Sequence, residues 1–278
     1  MRIASTVQEM RALRRAMVGA VGFVATMGYL HEGHLSLVRA ARERDDHVVA
    51  SIFVNPTQFG PGEDFERYPR DTDRDLALLR EERVDAVFMP PTEEMYPEGD
   101  ATFVEVAGVT EMLEGQYRPG HLRGVATVVA KLFHIVQPAR AYFGRKDAQQ
   151  LVVLRRLVRD LHLDVEIVPL ATVREADGLA TSSRNALLAP REREAALVLS
   201  RALRLAEERF ACGERDGDRL RATMRDEIGR EPLAQVDYVS VADSETLNEL
   251  VDVETNALAS LAVRIGGVRL IDNVTLSP

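Results

Sequence analysis

The sequence predicts an α/β fold with a doubly wound parallel sheet, followed by a smaller C-terminal α+β domain. Two observations lead to this prediction. Through the first two thirds of the chain, short apolar runs rich in β-branched residues alternate with segments that have the apolar spacing of helices. After residue 172 the pattern changes to two helices followed by short strands. We therefore expect a Rossmann-like domain over residues 1–172 and a smaller domain over residues 173–278.

The elements of the first domain follow from these runs. The N-terminal segment, Met1–Met17, has a charged, alanine-rich helical pattern. Strands are predicted at Val21–Ala25, His47–Val54, Val84–Met89, Ala141–Phe143 and Val165–Leu170. Helices are predicted at His34–Arg44, Asp73–Glu82, Val125–Val136 and Ala148–Leu161. In the second domain we expect helices at Glu192–Phe210 and Asp218–Ile228, and strands at Val236–Ala242, Ala257–Ile265 and Val268–Ile271.

Composition excludes several classes of function. The chain has a formal net charge of -9 and no cluster of basic residues, so we expect no nucleic-acid partner. Its most apolar run is interrupted by polar residues, and the N-terminus lacks an apolar signal core, so we expect a cytoplasmic protein without a membrane anchor. Cys212 is the only cysteine, which rules out an intramolecular disulfide. Among 35 basic residues only Lys131 and Lys146 are lysine, so each marks a position where an ammonium group could be required.

The strongest motif joins the first predicted strand to the first predicted helix. Residues 23–38 leave a buried strand, turn through Gly28 and Gly33, and enter a helix with His31 and His34 three positions apart. Ligands of open α/β sheets bind where strands end, and a helix N-terminus favours phosphate. Both histidines are therefore predicted to face a polyphosphate. An ordinary polar turn is the alternative, and a metal site lacks a clear third ligand.

Three further loops carry polar side chains, two of them directly after predicted strands. Asn55 and Gln58 flank a proline after the second strand. Gly144, Lys146 and Asp147 lead into a helix that Asp147 could cap, with Gln150 one turn later. The sequence Thr181-Ser182-Ser183-Arg184 offers hydroxyls and a guanidinium suited to phosphate, although a solvated loop would look the same. Arg118 and His121, before the apolar helix, are candidates for the rim of a substrate pocket.

These motifs resemble a known family. His31-x-Gly33-His34 with the preceding Thr26-Met27-Gly28 is similar to the His-x-Gly-His signature of the nucleotidyltransferase superfamily. The five motifs, in this order, resemble the pantothenate synthetase family across nearly all of the first domain and into the loop that ends at Asn185. Two positions depart from the family pattern: Ala25 stands where proline is usual, and Arg145 stands where glutamate is usual.

The resemblance implies an ATP-dependent, AMP-forming ligase that joins pantoate to β-alanine through a pantoyl adenylate, with Mg²⁺, as a homodimer whose smaller domain acts as a lid. The catalytic residues that it implies are His31, His34 (a proton donor), Lys146, Ser182, Ser183 and Arg184. The implied ATP-binding residues are Met27, Gly28, His31, His34, Gly144, Lys146, Asp147, Val173, Thr181, Ser182, Ser183 and Arg184. The implied substrate-binding residues are Met27, Asn55, Gln58, Arg118 and Gln150.

Two other functions are compatible with parts of this pattern. A nucleotidyltransferase that passes AMP or CMP to a phosphorylated acceptor would share the histidine motif but would not require Gln58 and Gln150. A nucleotide-binding module without catalysis would bind ATP without releasing pyrophosphate. The number of polar motifs expected at one edge of the sheet favours the ligase.

Overall fold

The computed structural model describes all 278 residues. The chain forms two compact units. The first contains residues 1–145 and 153–171, and the second contains residues 146–152 and 172–278. A short segment that follows the fifth strand of the sheet therefore belongs to the second unit, together with the C-terminal part of the chain.

The first unit is built on a six-stranded parallel sheet. Its strands are β1 (Arg2–Ala4), β2 (Val21–Thr26), β3 (His47–Ile52), β4 (Ala86–Phe88), β5 (Arg140–Gly144) and β6 (Glu166–Leu170). The strand order is β1-β4-β3-β2-β5-β6. Strands β3 and β4 lie on one side of β2, and strands β5 and β6 lie on the other side. This reversal of strand order defines a doubly wound sheet. Ligand sites of such sheets lie at the carboxyl ends of the strands beside that reversal, here β2 and β5.

The helices of the chain have the following bounds: α1 (Val7–Ala16), α2 (Glu32–Arg44), α3 (Thr72–Glu81), α4 (Thr92–Met95), α5 (Glu114–Tyr117), α6 (His121–Val136), α7 (Ala148–Asp160), α8 (Pro190–Ala195), α9 (Leu197–Ala211) and α10 (Gly217–Ile228). In the first unit α6 is the most deeply buried, and its apolar residues include Val125, Val128 and Val129, as their spacing predicts. No helix is long and apolar enough to cross a membrane.

Two local expectations were wrong. Arg2–Ala4 is an edge strand that pairs with β4, not the start of a helix, and α1 begins only after the Thr6 cap. A strand of three residues has no detectable periodicity, so only the pairing reveals it. The predicted helix from Glu192 is two helices that meet at Ala196. Ala196 keeps helical dihedral angles, but the Leu199 N–H donates three residues back to its carbonyl, which tightens the turn.

The second unit has a three-stranded antiparallel sheet in the order β7 (Ala234–Asp243), β8 (Ala257–Ile265) and β9 (Val268–Leu276). β8 and β9 form a hairpin with Ile265 opposite Val268, and β9 extends five residues beyond the end that the sequence predicted at Ile271. Helices α9 and α10 supply Leu203, Leu220 and Met224 to a core that also contains the buried face of this sheet. The predicted α+β class of this region is confirmed.

Candidate active site

The turn between β2 and α2 is held in an unusual backbone conformation. Gly28 has φ +82° and Tyr29 has φ +49°, both in the left-handed region. Asp75 of α3, whose side chain is 1% exposed, accepts the backbone N–H groups of Tyr29 and Leu30, each at 2.7 Å. Burial raises the pKa of Asp75, while these two hydrogen bonds act in the opposite direction. A carboxylate from a neighbouring helix therefore determines the shape of the turn that leads to the histidine pair.

His31 and His34 lie together at the start of α2. Their rings stack with centroids 4.0 Å apart and planes inclined by 28°. Gly33 makes room for this arrangement, because a Cβ atom at that position would lie 2.9 Å from the His31 ring. The first helical residue is Glu32, so the pair lies at the positive end of the helix dipole. This geometry suits the binding of an anion.

The backbone favours one neutral form of His34. The His31 N–H donates to Nδ1 of His34 at 3.4 Å, so that nitrogen acts as an acceptor. The proton of the neutral ring then lies on Nε2, because one ring nitrogen of neutral histidine donates and the other accepts. In that neutral form Nε2 is the donor nitrogen of His34.

The Asn55–Gln58 turn lies at the end of the neighbouring strand β3. Asn55 is 1% exposed, and its Nδ2 donates to Oε1 of Gln58 at 3.1 Å and to the carbonyl oxygen of Gly124 at 3.2 Å. Its Oδ1 accepts from the Tyr96 hydroxyl at 2.8 Å. The Gln58 amide in turn contacts Sδ of Met27 at 3.0 Å. The structure therefore brings Met27, Asn55 and Gln58 together, with Asn55 orienting the side chain of Gln58.

The backbone of Gln58 is held from the other side by Arg118 and His121. Arg118 Nη2 and His121 Nδ1 both bond to the Gln58 carbonyl oxygen, at 3.2 and 2.8 Å. A carbonyl only accepts, so His121 Nδ1 carries a proton; Arg118 donates to Nε2 at 3.0 Å, so Nε2 carries none. Removal from water and the adjacent guanidinium lower the pKa of His121 to about 4. His121 is therefore neutral at pH 7.

Arg118 is occupied within this network. Its guanidinium forms a forked ion pair with Glu63, at 2.9 and 2.6 Å, and its side chain is 9% exposed. The pKa of Glu63 is lowered: burial would raise it, but the hydrogen bonds and charge of Arg118 outweigh that effect. In this structure Arg118 contributes to the site by positioning Gln58, and direct contact of Arg118 with substrate stays a prediction.

Gly124 allows α6 to approach the Gln58 turn. A Cβ atom at this position would lie 2.4 Å from the Thr57 carbonyl oxygen and 2.8 Å from the Gln58 nitrogen, which are backbone atoms that cannot move aside cheaply. Gly144, at the end of β5, differs, since an added Cβ would meet nothing within 4 Å. The packing of the protein alone therefore requires glycine at 124 but not at 144.

In the second unit, Lys146 and Asp147 lie in a 3₁₀ turn before α7, and Gln150 lies in the first turn of that helix. All three side chains are partly buried. The loop after Val173 forms a small hairpin in which Arg174 pairs with Ala180 and the Thr181 N–H donates to the Val173 carbonyl at 3.0 Å.

The hairpin leads into the predicted hydroxyl and guanidinium cluster. Ser182 caps the 3₁₀ helix Ser183–Leu187 by accepting the Arg184 N–H at 3.3 Å. Thr181, Ser182 and Arg184 are partly buried, and Ser183 is 6% exposed. The structure thus places the four residues in one ordered turn.

Sequence reasoning missed several residues that shape the site: Glu63, Asp75, Tyr96 and Gly124. Asp75 and Tyr96 act on residues 41 to 46 positions away, and Glu63 binds Arg118 across 55 positions. No local pattern signals such a contact. The chain also builds no group of three or more His, Cys, Asp or Glu side chains that could hold a metal ion.

Comparison with known proteins gives consistent results. The family model described as Pantoate-beta-alanine ligase matches residues 2–275. The pantothenate synthetase of Roseiflexus sp. strain RS-1 is 63% identical over 276 residues, which is 99% of each chain. The crystal structure of the Thermus thermophilus pantothenate synthetase has a TM-score of 0.96 at 52% identity, with all of both chains covered. The Francisella tularensis ligase, solved with beta-gamma ATP and beta-alanine, has a TM-score of 0.82 at 33% identity, covering 99% of this chain and 97% of that one.

Proposed function

Because the chain belongs to the pantoate-beta-alanine ligase family, we propose that it forms pantothenate from pantoate, β-alanine and ATP in two steps. The pantoate carboxylate attacks the α-phosphorus of ATP and pyrophosphate leaves, giving a pantoyl adenylate. The β-alanine amine then attacks the acyl carbon, AMP leaves, and the amine loses a proton to form the amide. Activation is required because a free carboxylate does not acylate an amine at neutral pH.

The observation that carries this proposal is the stacked histidine pair on the turn held by Asp75. The ring centroids of His31 and His34 are 4.0 Å apart at the start of a helix, a position that favours anion binding. The chemistry of the first step consists mainly of positioning the reactants and stabilising charge on phosphate oxygens. We propose that His31 and His34 bind these oxygens and that His34 donates from Nε2.

We assign pantoate to the amide side chains. An amide both donates and accepts, which suits a substrate with one carboxylate and two hydroxyls. Gln58 is oriented by Asn55 at 3.1 Å and by Met27 at 3.0 Å, and Gln150 is the second amide of the assignment. One of the α6 residues Val125, Val128 and Val129 supplies an apolar wall for the methyl groups of pantoate.

We assign the β- and γ-phosphates to Lys146, Ser182, Ser183 and Arg184. Ammonium, hydroxyl and guanidinium groups are the usual donors to phosphate. Val173 and the Gly144–Asp147 segment complete the proposed nucleotide contacts. Magnesium enters this scheme as an ion bound to the nucleotide phosphates. Homodimer formation remains a separate proposal, testable by the mass of the protein in solution.

The second step needs no nucleophile from the protein. The adenylate is already activated, so the protein must orient the amine and keep water from the acyl carbon. We propose that the segment carrying Ser182 contributes to the exclusion of water.

The test separates the two half-reactions. Purified protein is given ATP and pantoate, and pyrophosphate release is measured; β-alanine is then added and AMP is measured. We expect pyrophosphate that depends on pantoate and AMP that depends on β-alanine. His34→Ala should slow the first step by about 100-fold, the usual cost of losing one donor to a developing charge.

Each half-reaction can contradict the proposal. ATP binding without pantoate-dependent pyrophosphate release would exclude the ligase and favour transfer to another acceptor. Unchanged pyrophosphate release by His34→Ala would remove that residue from the first step.

A further inference from the structure

One short stretch of β9 holds both segments of the second unit that carry proposed phosphate-binding residues. Asp272 and Asn273 are adjacent on this strand and are 2% and 8% exposed. Nδ2 of Asn273 donates to the carbonyl oxygen of Lys146 at 2.7 Å, across 127 positions of the sequence. The C-terminal strand therefore fixes the backbone from which the Lys146 ammonium extends.

Asp272 holds the other segment through Arg174. Arg174 donates to Oδ2 of Asp272 at 2.7 Å and to Oδ1 at 3.0 Å, a forked ion pair with a buried carboxylate. Arg174 also donates to the Gly178 carbonyl oxygen at 3.1 Å, which braces the hairpin leading to Ser182. The Asn273 N–H donates to Oδ1 of Asp272 at 2.8 Å, so the two anchoring side chains share one network.

The strand is a rigid support for this network. β9 is paired with β8 along its whole length, with Asp272 opposite Leu261 and Asn273 opposite Ser260. Successive residues of a strand face opposite sides of the sheet, so two neighbouring residues can hold two separate segments.

We propose that Asp272 and Asn273 are positioning residues that set the affinity of the protein for ATP without contacting the nucleotide. This inference rests on the proposed assignment of the phosphates to Lys146 and to the segment that carries Ser182. The Lys146 ammonium extends from this backbone on a flexible stem. The position of the backbone therefore sets the region that the ammonium can reach. Small displacements of binding groups cause large losses of rate, because the bound geometry must match that of the reaction.

The main test uses Asn273→Asp, which keeps the shape of the side chain but points an acceptor at the Lys146 carbonyl. With β-alanine present so that the protein turns over, steady-state pyrophosphate release gives KM for ATP, KM for pantoate and kcat. We expect KM for ATP to rise about 10-fold, as one lost hydrogen bond allows, and KM for pantoate to change by less than about twofold. Binding of a non-hydrolysable ATP analogue, measured by calorimetry, should weaken in parallel.

Asp237→Asn is the matched control. Asp237 lies on β7 of the same sheet and pairs with Arg264 and Arg269, so its loss weakens the sheet without touching the Lys146 segment. It should lower the melting temperature and leave KM for ATP unchanged. Arg174→Lys is the second variant, which keeps the charge but loses the fork, and it should also raise KM for ATP selectively.

The outcomes separate the two proposals. Absence of pantoate-dependent pyrophosphate release in the unmodified protein would overturn the proposed function. An active unmodified protein in which Asn273→Asp and Arg174→Lys bind ATP normally, or in which Asp237→Asn weakens ATP binding equally, would overturn the positioning role alone.

Discussion

The protonation state of His121 is decided by its two neighbours. Nδ1 donates to the Gln58 carbonyl, and Nε2 accepts from Arg118, so both nitrogens of the neutral ring are used. A second proton would remove the Arg118 hydrogen bond and place two cations 3.0 Å apart. This explains why the pKa of His121 is lowered to about 4.

The lowered pKa of His121 predicts a loss of stability in acid. Well above pH 6.5 the ring is neutral in both the folded and the unfolded state. Between about pH 6.5 and pH 4 the ring binds a proton in the unfolded chain but not in the folded protein. Stability due to this residue is therefore lost as the pH falls from about 6.5 to 4. The free energy of unfolding can be measured with urea at pH 7 and at pH 4.5. Between these pH values it should fall by on the order of 1–3 kcal/mol less in His121→Asn than in the unmodified protein.

His162→Asn is the matched substitution at an exposed histidine. Between the two pH values this variant should lose as much free energy of unfolding as the unmodified protein does. If His121→Asn has the same acid dependence as the unmodified protein, the neutral, doubly bonded state of His121 is incorrect.

Among the elements, helix α3 holds the turn that precedes α2. Asp75 is in the first turn of α3, and both of its carboxylate oxygens are used to hold Tyr29 and Leu30. Gly28 is packed closely as well, because an added Cβ would lie 3.1 Å from Asp75 Oδ2. The position of the histidine pair therefore depends on a helix that contributes no proposed ligand.

Asp75→Asn tests this dependence. An amide of the same shape turns one acceptor into a donor that faces a backbone N–H, so the turn should relax. We expect a stability loss of about 1–3 kcal/mol and a fall of at least about 10-fold in kcat/KM for pantoate-dependent pyrophosphate release. Asp73→Asn makes the same charge change at an exposed position of the same helix and should alter neither quantity. Full activity of Asp75→Asn would show that the turn holds its shape without the carboxylate.

At the scale of the whole molecule, each of the two units contains a hydrophobic cluster of its own. Leu79 belongs to a cluster within the first unit and is 0% exposed, and Leu203 belongs to a cluster within the second and is 1% exposed. The proposed ligand residues are divided between these units: the histidines and Gln58 are in the first, and Lys146 and Ser182 are in the second. Each core therefore supports a different part of the proposed chemistry.

Core substitutions should consequently act on one unit at a time. Leu203→Ala should create a cavity that costs about 2–5 kcal/mol and speed amide hydrogen exchange in β7, β8 and β9, with β2 and β3 little changed. Leu79→Ala, the matched change, should show the reverse pattern. Faster exchange in both units for either variant would indicate that they unfold as one.

The sequence alone determined the fold class, most element positions and the polar motifs at the strand ends. Periodicity identified β2–β6 and α7, and the motif around His31 and His34 identified the turn, because both signals lie within a few residues of the chain. The family assignment is confirmed by the match over residues 2–275.

Only the tertiary structure decided how these motifs are held. The edge strand β1 exists because it pairs with β4, Gln58 is fixed by a histidine 63 positions away, and Lys146 is fixed by Asn273 across 127 positions. Local patterns report the preferences of a short stretch of chain, whereas such hydrogen bonds form only after packing has brought distant segments together. A sequence read locally therefore locates groups that suit the chemistry, and the folded chain decides their orientation and protonation.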